Sequence, residues 1–185
     1  SNAAGGTIAL SGALAPSSLT VSATAGTYTF SGASAADKIT GATGLTKSGA
    51  GTLVLASAND YAGGTTITGG VVQISAGDQL GSGAVALGGG TLRLAASGAT
   101  TLSNAISVGA AGGTIDTGGQ NLQINTLASS GVLTKSGAGN LTVAGAVTSG
   151  AGTGFTVAQG NVILGSGATA AGVYGMSRPP SGIWT

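Results

Sequence analysis

Neither cysteine nor histidine occurs in the 185 residues. The first absence removes disulfides, thiol catalysis and Cys-based metal sites together. The second removes the commonest general base and Ser-His chemistry. Glutamate is missing too, and the acids are Asp37, Asp60, Asp78 and Asp116. Charged residues make up 5% of the chain, against about 25% in ordinary globular proteins. Lys38, Lys47, Arg93, Lys135 and Arg178 are spread over the whole length and leave a net charge of +1. So dispersed a set cannot neutralise a run of phosphates, and nucleic acid is not expected as a partner. There is no polybasic run for anionic lipid. Three prolines exclude collagen-like and Pro-rich designs. Mean hydropathy is +0.45, yet no stretch of about 18 apolar residues exists, so no direct membrane insertion is expected. Low charge with 42% hydrophobic residues is the opposite of the disordered signature.

What the chain has is glycine, 38 residues of it, with Ala, Ser and Thr filling most of the rest. Short β-prone runs recur from 7–10 to 161–164. Thr91-Leu92-Arg93-Leu94 and Asn121-Leu122-Gln123-Ile124 show the cleanest period-two alternation, which buries one face and wets the other. Between runs lie Gly63-Gly64, Gly69-Gly70, Gly88-Gly89-Gly90, Gly112-Gly113 and Gly118-Gly119, which read as turns. No segment carries a helical apolar face with capping residues.

One segment returns. Leu45-Thr46-Lys47-Ser48-Gly49-Ala50-Gly51-Thr52-Leu53 reappears 88 residues later as Leu133-Thr134-Lys135-Ser136-Gly137-Ala138-Gly139-Asn140-Leu141, identical over its first seven positions. Repeated short strands with glycine turns are the sequence signature of a solenoid. Two strands with their turns take about 20 residues, close to one coil of a parallel β-helix. The expectation is therefore an all-β, parallel β-helix of about nine coils. The competing arrangement is an antiparallel hairpin array or sandwich, which prefers Asn-Gly or Asp-Gly loops; neither dipeptide occurs.

Residues 44–74 also resemble a known repeat. The segment from Gly44 through the Lys47-Ser48-Gly49-Ala50-Gly51 turn, Asn59-Asp60-Tyr61 and Gly69-Gly70 to Ile74 is similar to the autotransporter-associated β-strand repeat of Gram-negative passenger domains. Gln79-Leu80-Gly81-Ser82-Gly83 with the following Gly89-Gly90-Thr91-Leu92 fits the same pattern, as does Gly112-Gly113-Thr114-Ile115-Asp116. The resemblance covers about residues 44–166, with the clearest repeats at 44–74 and 131–166. It implies a right-handed parallel β-helix exported by type V secretion to the cell surface or released from it. It also implies a C-terminal translocator barrel in the parent protein. Such a barrel shows lipid-facing strands with aromatic girdles, and aromatics are only 3% here, so the fragment reads as passenger alone. Ser1-Asn2-Ala3 reads as the scar of a cleaved expression tag, residues 4–174 as the β-helix, and residues 175–185 as a non-repeat tail acting as cap or linker.

Candidate chemistry is sparse. β-helices also carry lyases and glycosidases, and glycoside hydrolysis needs a carboxylate pair. Asp60 and Asp78 stand about one coil apart, with Arg93 as the lone accompanying base. Their plainer reading is as turn residues satisfying their own backbone, and Arg93 as solvated. Gly113-Thr114-Ile115-Asp116 is a weak match to calcium repeats, since oxygen-rich sites need several acids. Gly137-Ala138-Gly139 lacks the Lys-Ser/Thr and helix of a phosphate loop. Lys47 and Lys135 are expected to point outward, keeping the coil soluble and discouraging lateral strand pairing. Asn59, Asn104, Asn121 and Asn140 are expected to bond turn backbone, in part as inward ladders. Phe30 and Phe155 are assigned to the core, and Tyr61 to either core or contact surface.

These readings lead to a structural and adhesive passenger segment: a stiff stalk with weakly charged sides suited to self-association or to a host-surface or glycan ligand. No catalytic residue, metal or cofactor is expected. The alternative is a carbohydrate-active lyase or hydrolase on the same scaffold. A third reading, ice binding through Thr27–Thr29 and Thr66–Thr68, needs a regular Thr-x-Thr array that the sequence does not repeat coil after coil.

Overall fold

A computed structural model of the chain describes residues 5–150, 153–165, 170–171 and 176–177. It is a parallel β-solenoid with a three-sided cross-section. The widest side is a nine-stranded sheet that includes Gly6–Leu10, Thr27–Gly32, Thr52–Leu55, Val71–Ile74, Thr91–Leu94, Gly113–Asp116, Val132–Ser136 and Gly154–Val157. The second side has eight strands, from Ser18–Val21 and Gly44–Lys47 through Thr65–Ile67 up to Val147–Ser149 and Ala170–Ala171. The third is discontinuous. Ala13–Leu14 pairs with Lys38–Ile39, and after a gap Thr100–Leu102, Leu122–Ile124, Leu141–Val143 and Val162–Leu164 form a four-stranded sheet.

Strand pairings among the described residues are parallel, which disposes of the hairpin array. Successive rungs lie 19 to 26 residues apart, as from Thr52 to Val71 and from Ser18 to Gly44. Up to Gly154–Val157 the solenoid makes about 7 turns, fewer than the nine expected because each coil spends its residues on three sides rather than two. The only helical element described is the 3-10 turn Gly77–Leu80.

Period-two alternation does the packing. On the widest side Leu53, Val72, Leu92 and Ile115 stack in one inward column, each rung directly over the last. All four are at most 1% exposed. Each such side chain contributes about 1.5–3 kcal/mol of burial, and none does so until a neighbouring coil covers it. Phe30 and Phe155 lie in this core, as the sequence implied.

The gap in the third side falls at residues 56–64 and at the Gly77–Leu80 turn. There the interior is filled by side chains instead of a strand. Tyr61 is wholly buried with its hydroxyl 2.6 Å from Thr65 Oγ1. Asn59 turns inward as a clip: its Oδ1 accepts the Ile39 amide of the coil before, and its Nδ2 donates to Gln79 of the coil after. Asn104 is likewise buried and donates back to Gly81 and Gly83. Asn121, Asn140 and Asn161 form a ladder instead at a corner where Asn121 and Asn161 are exposed, so the inward ladders expected do not form among these residues.

The Met176–Ser177 strand pairs with Phe155–Thr156. The expected tag residues 1–3, and the rest of the tail from 178 onward, lie outside the described residues.

Candidate functional site

For a rod, the functional surface is what its sides present. On the eight-stranded side the outward column runs Thr20, Thr46, Thr66, Ala86, Ser107, Ala128 and Thr148, rung upon rung. Every member is small and none is charged. A shallow groove follows this column from Thr66 to Thr148, with Gly88, Gly109 and Gly150 also in its lining. On the widest side one outward column reads Thr27, Thr52, Val71, Thr91, Thr114, Thr134 and Thr156. Threonine thus recurs in single file, interrupted at Val71, while the Thr-x-Thr pair does not repeat from coil to coil. Its neighbouring column is Thr29, Val54, Gln73, Arg93 and Asp116, which includes the Arg93–Asp116 ion pair at 3.0 Å. That breaks the flat double array an ice surface requires. Arg93 is paired rather than simply solvated.

The lysines are not outward. Lys47 and Lys135 are both 0% exposed. Lys47 stands in the inward column Val21, Lys47, Ile67, Leu87, Val108. Lys135 stands in the inward column Leu92, Ile115, Lys135, Val157. A buried ammonium needs partners for its three protons, and both find them in turn carbonyls. Lys47 Nζ donates to Ser48 O and Gly49 O at 2.7 Å and to Gly69 O at 3.3 Å. Lys135 Nζ donates to Ser136 O and Gly137 O at 2.7 Å and to Gln159 O at 3.1 Å. Alternation already placed both lysines inward, with Leu45 and Leu133 two residues before them; the signal was overridden by the rule that lysine faces water. The satisfying carbonyls cannot be read from side-chain chemistry.

The two cages also hold glycine to its place. Gly70 follows the third acceptor with φ +63°, and a Cβ there would lie 2.7 Å from Lys47 Nζ. Gly160 follows Gln159 with φ +66°, and a Cβ would meet the carbonyls of Gly137 and Gly139.

Burial lowers the Lys47 pKa. Burial also brings Lys135 down to about 8, against an opposing pull from the Asp116 carboxylate. Tyr61 is pushed up to about 12 by burial, partly offset by Thr65.

The acids are engaged separately. Asp37 accepts from the amide of Gly12 and from the amide and hydroxyl of Ser34, and these bonds hold it below the usual range, the Gly12 amide foremost. Asp60 pairs with Lys38, which lowers it. Asp116 pairs with Arg93 and accepts the Gly118 amide. Asp78 is exposed on the 3-10 turn, one coil above Asp60, with the Asn59 amide bonded to its carbonyl. Among the described residues no three His, Cys, Asp or Glu side chains group as a metal site.

Residues 45–74 match the family profile of the passenger-associated-transport-repeat. The matched segment is thus similar to the repeats of autotransporter passengers. A stretch of 112 residues, 58% of this chain, is 43% identical to "Adhesin BmaC autotransporter" of Brucella suis biovar 1 (strain 1330). The chain spans about 3% of that relative's length. No solved structure matches with significance. Passenger repeats of this kind are exported across the outer membrane, to the cell surface or beyond it.

Proposed function

We propose that this segment is an adhesive stalk. It extends a passenger from the cell and offers its uncharged sides for contact with another surface. The observation that carries the reading is the unbroken outward column from Thr20 to Thr148, small at every rung and free of charge. Small hydroxyl and methyl groups let a facing surface approach closely. With few charges there is little repulsion between copies. Each rung adds a small contact, so attraction grows with the number of coils. The relative bearing the name adhesin supports this reading. A non-enzymatic role fits the engaged state of Asp37, Asp60 and Asp116. The parent protein is proposed to carry a translocator barrel, and the contacts to be with a second copy on a neighbouring cell or with a host surface or glycan.

The test is cell settling. The full-length parent is expressed on a Gram-negative surface with and without residues 44–166, at matched surface exposure. Standing cultures of the intact parent should clear faster, and the deletion should abolish the difference. Equal settling would reduce the segment to a passive spacer.

A further inference from the structure

We propose that the two lysine corners are one-way latches between consecutive coils. Each ammonium stays solvated until the coil that follows it in the chain docks, and that coil's carbonyl then closes the cage.

The direction is in the acceptors. Two of the three carbonyls around each Nζ come from the lysine's own turn, Ser48 and Gly49 or Ser136 and Gly137. The third comes from a residue farther along the chain, Gly69 or Gln159. Neither ammonium bonds a carbonyl of the coil before it. Asn59 differs, because it bonds Ile39 behind and Gln79 ahead. Asn104 differs in the other sense, bonding only Gly81 and Gly83 behind. The buried Thr117 hydroxyl also faces forward, to Ser136 and Gly139, but the forward-facing buried charges are the two lysines.

The cage also closes as a unit with its lid. A Cβ on Gly70 would run into the Gly49 and Gly51 carbonyls as well as Nζ, and one on Gly160 into those of Gly137 and Gly139. With the following coil in place neither lysine has any exposed surface. Before the lid arrives, the same ammonium has two carbonyls and solvent. A charge is therefore transferred from water to protein at the moment one coil is laid on the previous one. Opening the later coil must return it to water. The latch couples neighbouring coils in a stack whose stability is otherwise a sum of nearest-neighbour terms.

Lysine acylation of the folded chain with acetic anhydride, read by mass spectrometry, tests this. Lys38, partly exposed in its pair with Asp60, is the internal reference. In native buffer Lys47 and Lys135 should react at least about tenfold more slowly than Lys38, as groups needing a local opening do. Gly70→Ala should expose Lys47 and leave Lys135 protected; Gly160→Ala should do the reverse. If either variant fails to fold, the wild-type chain decides in a urea series. Lys47 labelling should then rise together with hydrogen exchange at Val71 and Val72, and Lys135 labelling with exchange at Val162. Labelling of both lysines in step with Lys38, or only in step with global unfolding, would overturn the latch.

Discussion

The same seven residues, Leu-Thr-Lys-Ser-Gly-Ala-Gly, stand at two different corners of the solenoid. Around Lys47 they carry the chain from the eight-stranded side, Gly44–Lys47, to the widest side, Thr52–Leu55. Around Lys135 they carry it from the widest side, Val132–Ser136, to the third side, Leu141–Val143. Climbing four rungs from Lys47 arrives at Ser129, six residues short of Lys135. The 88-residue repeat is therefore out of phase with the coils. What recurs is a corner, with its caged ammonium and its glycine lid, and the corner works wherever two strands must turn around a buried interior. Surroundings still differ. Lys135 has the Asp116 carboxylate nearby, and burial lowers its pKa further than that of Lys47.

The largest effect should come from the lids. Gly70→Ala and Gly160→Ala each impose a left-handed backbone on alanine and drive a methyl into carbonyl oxygens, at about 2–4 kcal/mol each. Urea midpoints measured for both variants should fall together if the corners are equivalent. Next come the ammonium groups. Lys47→Met and Lys135→Met keep the apolar stem but leave three carbonyls without a donor, a loss of about 1–3 kcal/mol offset by removing a buried charge. Because Lys135 pays more for its charge, Lys135→Met should be the milder of the two. The reverse order would show that Asp116 outweighs burial there.

A pH series sharpens the same contrast. The folded chain releases the Lys135 proton near pH 8, whereas the unfolded chain holds it to about 10.4. Between these values the unfolded state binds more protons, so stability should rise with pH. Lys135→Met should flatten that rise, with Arg93 and Asp116 the charged groups whose pairing must be preserved in the comparison. Above about pH 10 the unfolded Tyr61 ionises while the folded one holds its proton to about 12. Stability should then fall, so the wild-type curve should peak near pH 10. The smallest effect is expected from Arg93→Ala. A half-exposed ion pair contributes about 0–1 kcal/mol, and thermal melting should move by no more than a few degrees.

Much of this architecture was legible in the sequence, for a physical reason. Strands such as Thr52–Leu55, Val71–Ile74, Thr91–Leu94 and Gly154–Val157 alternate cleanly because one face is core and the other water. The strands that escaped notice are Ala13–Leu14, Gly44–Lys47, Thr100–Leu102, Leu127–Ser129, Val147–Ser149, Ala170–Ala171 and Met176–Ser177. Each is two to four residues long, too short for a period to declare itself, and missing them is what turned three sides into two. Tyr61 was undecided because its burial depends on a strand being absent from the third side. The lysine cages were hidden for a different reason. Backbone carbonyls have no sequence identity, so a buried cation satisfied by them looks like a surface residue.

Engineered disulfides test the out-of-phase corner most directly, since no native cysteine competes. Directly paired residues of adjacent parallel strands lie about 4.8 Å apart, within bridging range. Thr114→Cys with Thr134→Cys on the widest side, and Ser107→Cys with Ala128→Cys on the eight-stranded side, should each oxidise to an intramolecular bridge in the folded chain. If Thr114→Cys/Thr134→Cys stays reduced in a chain whose circular dichroism is native, Lys135 is not on the widest side and the two corners are one corner after all.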